Sequence, residues 1–339
     1  MKKNTRKSPK RVLIVLGLLL LLVALFSLTL GRYPISLNEL VGIISSQVIF
    51  IKPFWDEKME IIFWNVRLPR IILAILVGSC LSVAGACFQG IFQNPMASPD
   101  ILGASTGAAF GAALAILNHA SKAMISVSAF FFSILCVGIV YLVSQKSMGN
   151  KILALVLSGI MVSSLFNAGT SFLKLAADPM DELPAITYWM MGSLSGASVK
   201  DIRFVFPLMC IGIFPIILLR WKITVITMGE EEARAMGVNT GLVRLIIIIS
   251  ATLITAASVS VSGMIGWVGL VIPHLSRRLI GSNYKYLIPA TILFGAIFLL
   301  IVDNVSRNVL TSEIPIGILT AFIGAPFFLY LLSGRGDKL

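Results

Sequence analysis

Two histidines, four cysteines and fifteen carboxylates are all that 339 residues offer for proton transfer, nucleophilic attack or metal ligation, and they are scattered. His274 follows Pro273 with no second His or Cys near it in sequence, so a structural role fits it better than iron or haem ligation. His119 has no companion ligands either. Cys80, Cys87, Cys136 and Cys210 lie singly in apolar runs, without a Cys-x-x-Cys pair, and read as small buried hydrophobes. No nucleophile and base are paired, and no Gly-x-x-x-x-Gly-Lys-Ser/Thr loop could cradle a nucleotide phosphate. The chain is expected to be no enzyme in its own right, with neither a cofactor nor a resident metal.

Polar groups instead occur inside otherwise apolar stretches. Behind a small-residue helix (Gly78, Ser79, Ser82, Gly85) come Gln89, Gln93, Asn94, Pro95, Met96, Ser98 and Pro99. Two prolines and four polar side chains at membrane depth break a helix, which is tolerated where backbone is buried in protein or lines a cavity. The segment reads as a constriction at the inner end of a pathway, or as a helix corner. Ser163, Asn167, Thr170, Ser171 and Lys174 recur at steps of three and four, one polar stripe that faces protein or water. Hydrogen bonding between helices and lining of a pathway both account for it. From Gly229 to Val238, Glu230 and Glu231 start a short helix, Arg234 complements its dipole and Gly237 stops it. Ala233, Met236 and Val238 then offer small apolar contacts for a groove on a partner, against the alternative of a solvated loop helix.

The elements that must carry these residues are membrane spans. Of the residues, 57% are hydrophobic and only 12% charged, and the mean hydropathy is +0.95. Ten apolar runs cover 12–30, 68–88, 101–117, 124–143, 152–173, 204–219, 245–261, 263–272, 287–302 and 314–332, the eighth being marginal. The expected fold is all-α and polytopic, with about ten transmembrane helices. The basic start (residues 1–11) is a cytoplasmic tail, its first apolar run too long for a signal peptide. Residues 12–334 form one transmembrane domain, with 221–243 as a cytoplasmic segment. Alternating the loops places seventeen basic and five acidic residues inside, against ten of each outside. The net +12 falls on the inner face, and an even span count leaves both termini cytoplasmic. Basic residues in loops, without a basic folded face, argue against nucleic acid. Trp55 and Trp64, in the outer segment 32–67, are expected at headgroup level.

Several tracts occurring in order resemble one family closely. They are Arg67 to Gly107, the Gly229-Glu-Glu loop, Gly266 to Gly281, Asp303 with Arg307, and Glu313 to Phe328. They are similar to the FecCD-type permeases of iron-siderophore, haem and vitamin B12 ABC importers. The resemblance implies a permease dimer, identical or paralogous, in the bacterial cytoplasmic membrane. Two ATP-binding cassette subunits and an extracytoplasmic substrate-binding protein would join it. It implies that Arg67, Arg70 and Arg307 receive acidic residues of the binding protein, snorkelling being the alternative for the first two. It implies an inner gate at Asn94 and Met96, ATPase contact at Gly229 to Val238, and a pathway beside the fifth span. No gate residue is assigned in the turn at 147–151. The expected cargo is a ferric siderophore, with haem and cobalamin next. An ion-coupled transporter is the competing class, which would want an acid at mid-span.

Overall fold

The computed structural model describes residues 8–31, 33–49, 52–147, 149 and 151–330. Most of the basic tail, part of the turn at 147–151 and the chain after Tyr330 lie outside these residues. Fourteen α-helices and no strand occur among the described residues. They are α1 (Pro9–Thr29), α2 (Leu37–Ser45), α3 (Glu57–Ile62), α4 (Leu68–Ile91), α5 (Ala104–Leu117), α6 (Lys122–Gln145) and α7 (Lys151–Ala176). The second half holds α8 (Glu182–Met190), α9 (Val199–Ile226), α10 (Glu230–Ala235), α11 (Thr240–Ser262), α12 (Val268–Ile280), α13 (Tyr284–Asn308) and α14 (Ile316–Tyr330). Among the described residues, seven stretches are long and apolar enough to cross a bilayer: α1, α3 continuous with α4, α6, α7, α9, α11 and α13. Helices α5 and α14 are shorter apolar ones.

Each apolar run falls on a helix, but the eighth is displaced. Residues 263–267 are extended or bent, and α12 begins only at Val268. Gly263 (φ +66°) ends α11 and Trp267 (φ +69°) precedes α12, so hydropathy continues across a segment that the backbone interrupts. Gly103 (φ +77°) stands likewise before the other short helix, α5.

Helix lengths repeat on either side of α9. The series α4 to α7 has 24, 14, 24 and 26 residues, and α11 to α14 has 23, 13, 25 and 15. Long helix, short helix capped by a left-handed residue, then long helix is the common order, as in transporter repeats.

Helix α4 is the axis of the molecule, buried along nearly its whole length against α9, α11, α12 and α13. It runs antiparallel to α13: Arg70 faces Asp303, Gly78 faces Gly295 and Ala86 faces Tyr284. Glycines set the closest approaches. A Cβ on Gly85 would lie 1.7 Å from the Gly269 carbonyl oxygen, and one on Gly78 2.3 Å from that of Gly295. Backbones in direct contact gain dispersion along the whole crossing, the main source of helix association where lipid replaces water.

The segment between α1 and α4 has a small core of its own. Trp55 is buried with Ile35, Leu40, Ile43 and Phe63 in a small satellite core, and Trp64 packs against it. Among the exposed residues there, Leu37, Val41, Ile44 and Val48 form an aliphatic stripe on α2 and the turn after it. The indole rings fill space under α2, and aliphatic side chains face outward in their place.

Candidate functional site

At one end of α4 the three arginines singled out in the sequence do come together, but facing inward. Arg67, Arg70 and Arg307 are 3%, 5% and 7% exposed. Arg67 donates from Nη1 to the carbonyls of Leu28 (2.5 Å) and Thr29 (3.3 Å), and from Nη2 to that of Tyr33. Arg307 donates to the Ser27 carbonyl (3.2 Å) and to Asn304. A helix leaves its last carbonyls unsatisfied, and these two guanidinium groups satisfy those of α1. Arg70 uses its whole fork: Nε donates to Asp303 (2.9 Å), and Nη1 and Nη2 donate to the two Glu313 oxygens (2.8 and 3.0 Å). Asp303 is fully buried and also faces Arg307 at 3.5 Å. Outward guanidinium groups awaiting a partner's acids are therefore not what these residues present. Each is occupied within the chain: Arg70 and Arg307 face the Asp303 carboxylate, and Arg67 is held by backbone carbonyls.

At the other end α4 unravels. Gln89 is buried and donates to the Leu270 carbonyl at 3.2 Å. Gln93, in a left-handed conformation (φ +49°), donates to the Ile226 carbonyl at 2.6 Å. The Asn94 side chain accepts from the Met96 N–H at 2.9 Å, an Asx turn that fixes the loop, while Pro95 and Met96 stand exposed. After that turn the chain re-enters the bundle. A cavity of about 240 Å³ lies between the start of α5 and the start of α12, with Asp100, Ser105 and Trp267 on its wall.

Gly229 (φ +146°) opens α10, and Gly237 (φ +76°) follows its end. Glu230 accepts from Arg234 at 2.7 Å and faces Arg244 of α11 at 3.5 Å. Partial desolvation pushes the Glu230 carboxyl up, but Arg244 and Arg234 pull it further down, to a net position below the ordinary glutamate range. Ala233 and Val238 are buried and pack α10 onto its own chain, contrary to the outward contacts expected of them. Glu231, Glu232, Arg234 and Met236 make up the exposed face.

The stripe on α7 divides in two. Thr170 is buried and bonded to the Phe166 carbonyl of its own helix, so it lines no open path. Ser163 is half-buried against Gly103, whose Cβ would lie 2.4 Å from its hydroxyl. Asn167 and Ser171 are exposed, and Ser164, which spacing arguments passed over, shares their face.

With these two ends and the α7 face described, comparison is informative. The profile of the FecCD transport family matches residues 19–334. The chain belongs to that family. It is 39% identical over 320 residues to the molybdate import system permease protein of Haemophilus influenzae, covering 94% of each chain. It is 37% identical to an Fe(3+)-citrate import system permease protein of Bacillus subtilis over the whole of both chains. A solved structure described as an inward-facing metal-chelate type ABC transporter has a TM-score of 0.84 at 39% identity, covering 96% of this chain and 99% of that one. Within this FecCD chain, sequence reading missed the partners Arg244, Glu313 and Tyr284, each distant in sequence from the residue it meets. Asp303 was visible only as a neighbour of Arg307. The separation of Arg70 from Asp303, 233 residues, explains why.

Proposed function

We propose that this chain is the membrane-spanning permease subunit of an ATP-driven importer for a metal chelate, energised by a separate ATPase. The observation that carries the reading is the inner end of the bundle. There the exposed acidic helix α10 is fastened to α11 through Glu230 and Arg244, and the Asn94–Met96 loop is fastened through Gln93 to the end of α9, three residues before Gly229. A push on α10 has short routes to that loop, and rigid-body rocking of helices would open the path to one side at a time.

The spans in this reading are ten: the seven long ones with α5, α12 and α14. Both termini are then cytoplasmic, residues 1–11 form a basic tail, 12–334 are one permease domain and 221–243 are the ATPase-coupling segment. The partners are ATP-binding cassette subunits, an extracytoplasmic substrate-binding protein, a second permease protomer and the lipid of the cytoplasmic membrane. Ser163, Ser164, Asn167 and Ser171 flank the pathway, and Gln89, Asn94, Pro95 and Met96 its inner gate. Arg67, Arg70 and Arg307 serve binding-protein docking by holding α1, α4 and α13 in register at the outer mouth. A ferric chelate is the cargo we favour. The relative named for molybdate makes a metal oxyanion the second candidate, and haem and cobalamin are larger alternatives.

Purification from native membranes tests the assembly. An ATPase subunit should co-purify, and Glu231→Lys with Arg234→Glu should abolish its retention or its coupling to uptake. An intact permease that never retains an ATPase would overturn the reading.

A further inference from the structure

One residue joins three helices beside both the α10 segment and the gate loop. Tyr284 opens α13 and is 1% exposed. Its backbone N–H donates to the Thr224 hydroxyl of α9 at 3.0 Å, and its phenol O–H donates to the Ala86 carbonyl of α4 at 2.8 Å. Within a helix that carbonyl already faces the N–H four residues on, so the phenol takes up its second lone pair. Room for it comes from Gly90. A Cβ there would lie 2.4 Å from the Tyr284 hydroxyl oxygen and 3.0 Å from Ile223 Cγ2 of α9. One turn on, Gln93 bonds the Ile226 carbonyl. The end of α4 thus meets α9 at Ile223 and Ile226, just before α10, and runs directly into Asn94–Met96.

We infer that Tyr284 is a positioning residue for transport. Its hydroxyl, seated over Gly90, ties the last turns of α4 to the start of α13, which the Tyr284 backbone N–H ties in turn to α9, so that displacement of α10 reaches the gate loop. The inference rests on the permease reading. A phenyl ring fills the same volume but makes no bond to Ala86, which leaves α4 able to slip along α13 without emptying the core. Packing alone would therefore survive Tyr284→Phe, whereas transmission would not.

The test uses the permease–ATPase complex in lipid nanodiscs, with Met96→Cys in a Cys210→Ala background. Labelling by a membrane-impermeant maleimide is followed with and without magnesium-ATP and vanadate. The Tyr284-containing complex should change its labelling rate by roughly fivefold or more between the two states, the low end of ordinary allosteric coupling. Tyr284→Phe should lose that difference while ATP is still hydrolysed. If Tyr284→Phe does not assemble, Gly90→Ala pushes the same hydroxyl off its acceptor and must give the same loss. A full nucleotide response in either variant overturns the role of Tyr284 and leaves the permease reading standing. No response in the Tyr284-containing complex overturns both.

Discussion

The charges at the two ends of α4 and α9 are where single side chains matter most. Arg70 is shared between Asp303 and Glu313, so its removal leaves the buried Asp303 and the half-buried Glu313 without their main counter-charge. Arg70→Met should lower stability by about 3 kcal/mol or more, the range for breaking a buried pair, as read from unfolding in detergent. Arg70→Lys should not restore it, because one ammonium cannot reach both carboxylates in fork geometry. Glu230 makes the opposite kind of site, exposed and paired with two arginines. Its carboxyl is held below the ordinary range, so the contribution of the pairing is complete above the unfolded value near 4.5 and is lost as pH falls through the lower folded value. At neutral pH, Glu230→Gln should raise hydrogen exchange across residues 229–238 while the core of α4 stays protected. Much of α10 was legible in the sequence, because its pairing is local: Glu230 and Arg234 are four apart and Gly237 marks the stop. The inward pairing of the arginines with Asp303 and Glu313 was not, since no periodicity links residues brought together only when α13 folds back along α4.

Helices in this chain are specified by composition, and their contacts by absent side chains. Apolar runs located the long elements closely, but hydropathy carried the eighth run through Gly263 and Gly266, where the backbone turns. The small residues of α4 pointed to close packing, and the fold supplies the partners, Gly269 and Gly295. Gly85→Leu should force α4 and α12 apart and cost about 1–3 kcal/mol or prevent assembly, measurable as lost monodisperse protein on gel filtration. Trp55 packs beneath α2, and an aliphatic stripe on α2 turns out. A nitroxide at Val41 should be relaxed by oxygen more than by a water-soluble nickel chelate, as for an in-plane interfacial helix, and one at Glu39 the reverse. Equal behaviour at both positions would remove α2 from the membrane surface.

For the whole molecule, the permease reading we propose divides labour between this chain, which offers the α10 segment, and a separate ATPase. The competing ion-coupled class needs an acid free to take up and release its ion, and the fully buried Asp303 is committed to Arg70 and Arg307. Uptake into vesicles separates the two. Permease and ATPase are reconstituted with ATP-magnesium inside and the binding protein outside, no ion gradient is imposed, and radioiron citrate and radiomolybdate are offered in parallel. The expected result is accumulation of one of these probes that requires internal hydrolysable ATP and is unaffected by ionophores. Uptake that ignores ATP and follows an imposed ion gradient would contradict an ATP-driven permease.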